Sequence, residues 1–159
     1  MWQHFITGIH QSYAIFYFII ENINPRILFY SSHLFLAPIL YYAVIIKPTR
    51  LLSSIFSMIF MNFVFSIAFW SNPIKNSTIH YIDAVAAKTS IVIMILAISI
   101  KRVLYQQTMK WFIRSLSIML LFFYLSNLYS RIEWCCKEHL ITHFIGHIMA
   151  TITMFFIFH

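Results

Sequence analysis

At 159 residues, with 61% hydrophobic and only 9% charged side chains, the chain lies far from the soluble globular mix, in which about a quarter of residues are charged. A water-soluble domain of this size could not hide that much apolar surface, whereas a bilayer can. The formal net charge of +7 sits in short basic clusters between apolar runs, not in a stripe. These clusters read as topology determinants beside membrane spans, so membrane lipids are the expected partners and nucleic acid is not. Nothing reads as disordered or repeated, and no soluble linker divides the chain. A single all-α domain over residues 1–159 is predicted, a polytopic membrane bundle of five or six transmembrane helices.

Residues 5–20 are apolar apart from His10, Gln11 and small polar residues. They fall short of the roughly 20 residues a span needs, and could be a tilted or interfacial helix or a poor first span. The N-terminus has no basic region or small-residue cleavage site of the kind a removable signal peptide carries. Glu21 to Arg26 breaks the run with polar residues and Pro25. Residues 27–46 form a clear span in which Pro38 predicts a kink. After the basic turn Lys47-Pro48-Thr49-Arg50 come spans at 51–70 and 79–100, separated by a polar loop at 71–78. The loop at 101–110 is basic and polar. A span at 111–129, a short loop at 130–137 and a last span at 139–158 complete the chain. Trp70, Trp111 and Trp134 fall at predicted edges or in a loop, as interfacial aromatic belts do. Cys135 and Cys136 are adjacent, which disfavours a bridge between them, and read as free or lipidated juxtamembrane thiols.

Folding these spans back and forth sorts the loops onto two sides. Loops 47–50 and 101–110 carry the denser positive charge and are expected on the cytoplasmic side. All four acids, Glu21, Asp83, Glu133 and Glu138, lie on or near the other side. So do Ser66, His80 and the row His139, His143, His147. Residues four apart share a helix face, and imidazoles on a membrane helix are costly unless something satisfies them.

Three helices thus bring a serine, a carboxylate and histidines to one membrane depth. Zinc accepts imidazole and carboxylate ligands while keeping a position for water, whose pKa it lowers. His139 and His147 are separated by about 12 Å of helix rise, so the ligand pair is His143 with either neighbour, joined by Asp83. The competing reading has the same histidines hydrogen-bonding across helices or sitting in the headgroup zone. Asp83 could equally complement the dipole of its helix, and Ser66 could serve helix packing. Polarity confined to one side argues against a channel, and candidates lying mostly on one helix argue against haem.

Ser66-Ile67-Ala68-Phe69-Trp70, then Ile82-Asp83, then His139-Leu140-Ile141-Thr142-His143 resembles the motif order of the CREST superfamily. That group includes alkaline ceramidases, progestin and adipoQ receptors with their haemolysin III relatives, and GPI-anchor remodelling hydrolases. The resemblance implies a zinc-dependent hydrolase of a lipid amide or ester, or a lipid-sensing or inactive relative. It makes Ser66 and Asp83 catalytic, with Ser66 orienting or stabilising the developing oxyanion, and makes Zn2+ the cofactor on Asp83 and His139, His143 or His147. The chain departs from the family at Trp70, where a histidine ligand is expected, and His80 is an available substitute at a different spacing. It also has five or six helices where the family has seven. The alternative is a non-enzymatic membrane protein with no metal site.

Overall fold

A computed structural model describes residues 23–45, 49–101 and 106–158. Helix α1 (Arg26–Ser32) passes through a 3-10 turn (His33–Phe35) into α2 (Leu36–Ile45), and the three together make one span. Helices α3 (Arg50–Ser71), α4 (Thr78–Lys101), α5 (Gln106–Ile132) and α6 (Lys137–Phe158) are continuous. No strand occurs among the described residues. Five helical segments are long and apolar enough to cross a membrane, which makes this a multi-pass integral membrane protein. Their boundaries follow the sequence-predicted spans closely. The expected 5–20 segment lies outside the described residues.

Local chemistry sets the ends and breaks. Proline at 38 has no N–H to return to the Leu34 carbonyl, and the chain tightens into its 3-10 turn just before that point. Ser31 and Ser32 hydroxyls both lie within hydrogen-bond reach of the Leu28 carbonyl beside the same break. Thr49 caps α3 by accepting the Leu52 N–H at 3.2 Å. One boundary needs correction. The span predicted at 111–129 is the middle of a 27-residue helix, because the Gln106, Gln107 and Lys110 stretch read as loop consists of good helix formers.

Helix α6 is the axis of the bundle. Half of its most apolar stretch is buried, against 22% for α5. It packs along α5 and against the α1–α2 span, while α3 packs on α4 and on that span. Consecutive helices α4 and α5 barely touch. Two apolar clusters fill the bundle: a large one through Ile55, Ile59, Met94, Phe112 and Met154, and a small one of Leu28, Phe69, Trp70 and Leu140 at the histidine end.

The tight α5–α6 seam depends on Gly146, where an added Cβ would lie 2.7 Å from the Phe123 ring. That ring is already packed against His143 and His147, so it cannot yield freely. Gly146→Ala is expected to destabilise the bundle by about 1–3 kcal/mol, the usual cost of overpacking, read as a lower melting temperature in detergent. An unchanged melting temperature would contradict this packing.

Candidate functional site

The polar groups at the histidine end are organised first by the starts of α4 and α6. A helix leaves its first N–H groups without intrahelical partners. In both helices a histidine at the third position reaches back to the residue two before the helix. The Asn76 N–H donates to His80 Nδ1 at 3.0 Å, and the Cys135 N–H donates to His139 Nδ1 at 3.2 Å. Both donors are left-handed, with φ of 62° at Asn76 and 60° at Cys135, which turns each N–H back toward the imidazole. Each imidazole stands where a capping box has its glutamate, but takes the N–H of the residue before the N-cap, one place earlier than in that motif. Ser77 adds its hydroxyl as acceptor for the His80 N–H. An imidazole nitrogen that accepts from an amide carries no proton, so in a neutral ring the other nitrogen does. His80 and His139 therefore offer Nε2–H donors.

His143 and His147 are held differently, each through Nδ1 to a serine of another helix: His143 to Ser126 of α5 at 2.9 Å, His147 to Ser31 of α1 at 2.8 Å. Ser66 shares a hydrogen bond with Ser32 at 2.9 Å, and Ser32 lies 2.8 Å from the Leu28 carbonyl. The expected catalytic serine is thus 3% exposed and tied to a hydroxyl, with no histidine or carboxylate hydrogen-bonded to it among the described residues.

An aromatic cap closes this end. Trp134, from the α5–α6 loop, packs against Trp70, His80 and His139 and donates from Nε1 to the Pro73 carbonyl at 3.3 Å. Lys75 crosses from the α3–α4 loop to donate to the Ser130 carbonyl at 2.7 Å, with its ammonium over the Trp134 ring. Trp70, read from sequence as an interfacial belt residue, is 2% exposed within this cap. Its place beside Trp134 makes it a packing element. Trp111 is lipid-side and exposed, with Arg114 over its ring. Both cysteines are free. Burial, then the neighbouring Cys136, pushes the Cys135 thiol pKa up.

Beneath the cap, the gap between α4 and α5 leaves a cavity of about 430 Å³, well within the range of small-molecule sites. His139, His143, His147, Asp83 and Ser66 all line it, together with His80 and Lys88. The residues singled out from sequence therefore do share one space. Asp83 and Lys88 carry no hydrogen bond or ion pair among the described residues. Asp83 stands beyond the first turn of α4, too far in for the dipole of that helix to be its main partner. Three enclosed polar atoms, Asn62 Oδ1, Trp70 Nε1 and Ser90 Oγ, also lack a hydrogen-bond partner among the described residues. Each such atom costs about 1–3 kcal/mol while unpaired.

Among the described residues no three His, Cys, Asp or Glu side chains converge closely enough to hold a metal ion. His139 and His80 turn a protonated Nε2 away from their amide bonds, so neither has a lone pair to give without breaking its cap. His143, His147 and Asp83 keep donor atoms without a described partner around the cavity, so what is missing is their convergence on one point. Purified full-length protein equilibrated with zinc and desalted is expected to retain well under one equivalent by elemental analysis. Equimolar zinc that is lost in both His143→Ala and Asp83→Ala would reverse this conclusion.

Compared with known proteins, the chain matches no family model, no curated protein and no solved structure. The likeness to the CREST superfamily rests on the quoted motif residues alone.

Proposed function

We propose that this chain is a non-enzymatic multi-pass membrane protein that takes up a single-chain amphiphile from the bilayer through the α4–α5 cleft. The observation that carries this reading is the cavity left where α4 and α5 fail to pack. Its walls change character with depth. The end nearest the loops presents Trp70, His80, Asp83 and His139, while the inner end is lined by Met94, Met119 and Met154. From His80 to Met94 the α4 wall runs about 21 Å of helix rise, which suits an extended chain lying along the helices with its polar head at the histidine end. Methionine thioethers adapt to chains of varied shape.

The route follows from the same geometry. Trp134 and Lys75 roof the cavity toward the loops, and the exposed Lys88, Leu120, Tyr124 and Asn127 mark its lateral lip. A ligand dissolved in the membrane can enter sideways without crossing water. Positive charge in loops 47–50 and 101–110 puts the opposite, histidine end on the non-cytoplasmic side. The head group meets the Nε2–H of His139, a donor, so an oxygen acceptor in the head is favoured. Ser66 bonded to Ser32, and His and Asp side chains that do not converge on one point among the described residues, favour binding over hydrolysis.

Native mass spectrometry of full-length protein extracted in mild detergent tests the proposal. Wild type is expected to carry one amphiphile per chain. Ala87→Trp, which fills the cavity from its α4 wall, is expected to lose it while keeping helical circular dichroism. A wild type without bound amphiphile, or an Ala87→Trp variant that retains it, would overturn the reading.

A further inference from the structure

Asp83 is the carboxylate of the cavity, and among the described residues no protein cation is set against it. It is the sixth residue of α4, about 7.5 Å of rise from the helix start, half-buried and on the cavity wall. The other acids among the described residues, Glu133 and Glu138, are exposed, one in the α5–α6 loop and one in the first turn of α6. Lys88 also lines the cavity, but it stands five residues further on. That is about 140° round the helix and about 7.5 Å along it, at the exposed lip.

The other basic groups at this end are committed elsewhere. His80 and His139 each accept a backbone N–H at Nδ1, so each ring has a single N–H and no charge. His143 and His147 turn Nδ1 onto Ser126 and Ser31. Lys75 donates to the Ser130 carbonyl, sits over the Trp134 ring and does not line the cavity. A carboxylate inside a membrane protein is costly until a cation meets it. A ligand that brings the cation lifts that cost, whereas a neutral head group leaves it.

We infer that the bound amphiphile is an alkylammonium, whose cationic N–H donates to the Asp83 carboxylate. The order of groups in its head follows from the walls. His80 and His139 stand at one level, since both rings pack on Trp134, and Asp83 is three residues inward of His80, about 4.5 Å of rise. An oxygen held by the His139 Nε2–H therefore lies on the loop side of the nitrogen. The chain runs inward from the nitrogen toward Met94, Met119 and Met154. A secondary amine with a hydroxyethyl end has this order. This inference rests on the amphiphile reading above.

N-dodecylethanolamine and ethylene glycol monododecyl ether serve as the probes. They share the chain and the hydroxyl end and differ in an ammonium or an ether oxygen between the two. Purified full-length protein in mild detergent is equilibrated with both at equal free concentration and desalted, and the retained ligands are quantified by mass spectrometry. Wild type is expected to retain the amine about tenfold over the ether, the worth of one charge-assisted hydrogen bond. In Asp83→Asn the preference is expected to fall toward unity with ether binding kept, and in Asp83→Glu to persist. Equal retention by wild type, or a preference that survives Asp83→Asn, would overturn the cationic head while leaving the amphiphile reading in place. A wild type that retains neither probe would overturn both.

Discussion

The constraint on which this structure turns is the need to satisfy backbone N–H groups beside the starts of helices α4 and α6. Two imidazoles take the task, one at an exposed loop and one at a half-buried loop. His80 and His139 accept the N–H of Asn76 and Cys135, two residues in the same left-handed conformation. That one interaction fixes which nitrogen of each ring is protonated, points the Nε2–H edge away from the loop, and holds both rings against Trp134. Trp134 in turn reaches Pro73 and supports Lys75. The roof of the cavity is therefore built outward from two helix caps.

Deeper in the bundle the same economy recurs. His143 and His147 tie α6 to α5 and α1 through Ser126 and Ser31, and Ser66 ties α3 to α1 through Ser32. Interhelical hydrogen bonds of this sort are worth about 0.6–2 kcal/mol each, and they let α6 serve as the axis. Because α6 holds α5 on one side and the first span on another, α5 does not need to close against α4. The cavity is the space that this arrangement leaves. Asp83, Lys88, Asn62 Oδ1, Ser90 Oγ and Trp70 Nε1 have no hydrogen-bond partner among the described residues, and all five residues line it. Structural histidines and the cavity are thus two sides of one packing solution.

The five membrane helices were legible in the sequence because apolar runs of the right length allow little else. The extension of α5 to Gln106 was hidden, since polar residues at a helix end look like a loop by hydropathy. Grouping Ser66, Asp83 and the histidines at one membrane depth was possible from alternating topology alone, and they do line one cavity. What each residue bonds was not legible. Ser31 and Ser126 are ordinary hydroxyls in apolar stretches, and only the three-dimensional packing sets them against His147 and His143. Spacing suggested ligands, whereas the local backbone had already claimed His139. A signal for that claim was present: Asn76 precedes His80, and Cys135 precedes His139, by the same four residues at the start of a span. The Trp70 position shows the reverse error, where an edge tryptophan was assigned to the lipid interface and instead packs beside Trp134.

The most direct measurement is the nitrogen-15 spectrum of selectively labelled histidines in the full-length protein in bilayers, assigned with His80→Gln and His139→Gln. With the imidazoles acting as helix caps, both His80 and His139 are expected as neutral rings with an unprotonated Nδ1 and a protonated Nε2. A proton on Nδ1 of either ring, or an Nε2 of His139 that loses its proton when zinc is added, would contradict the capping role and return these residues to the metal-site reading.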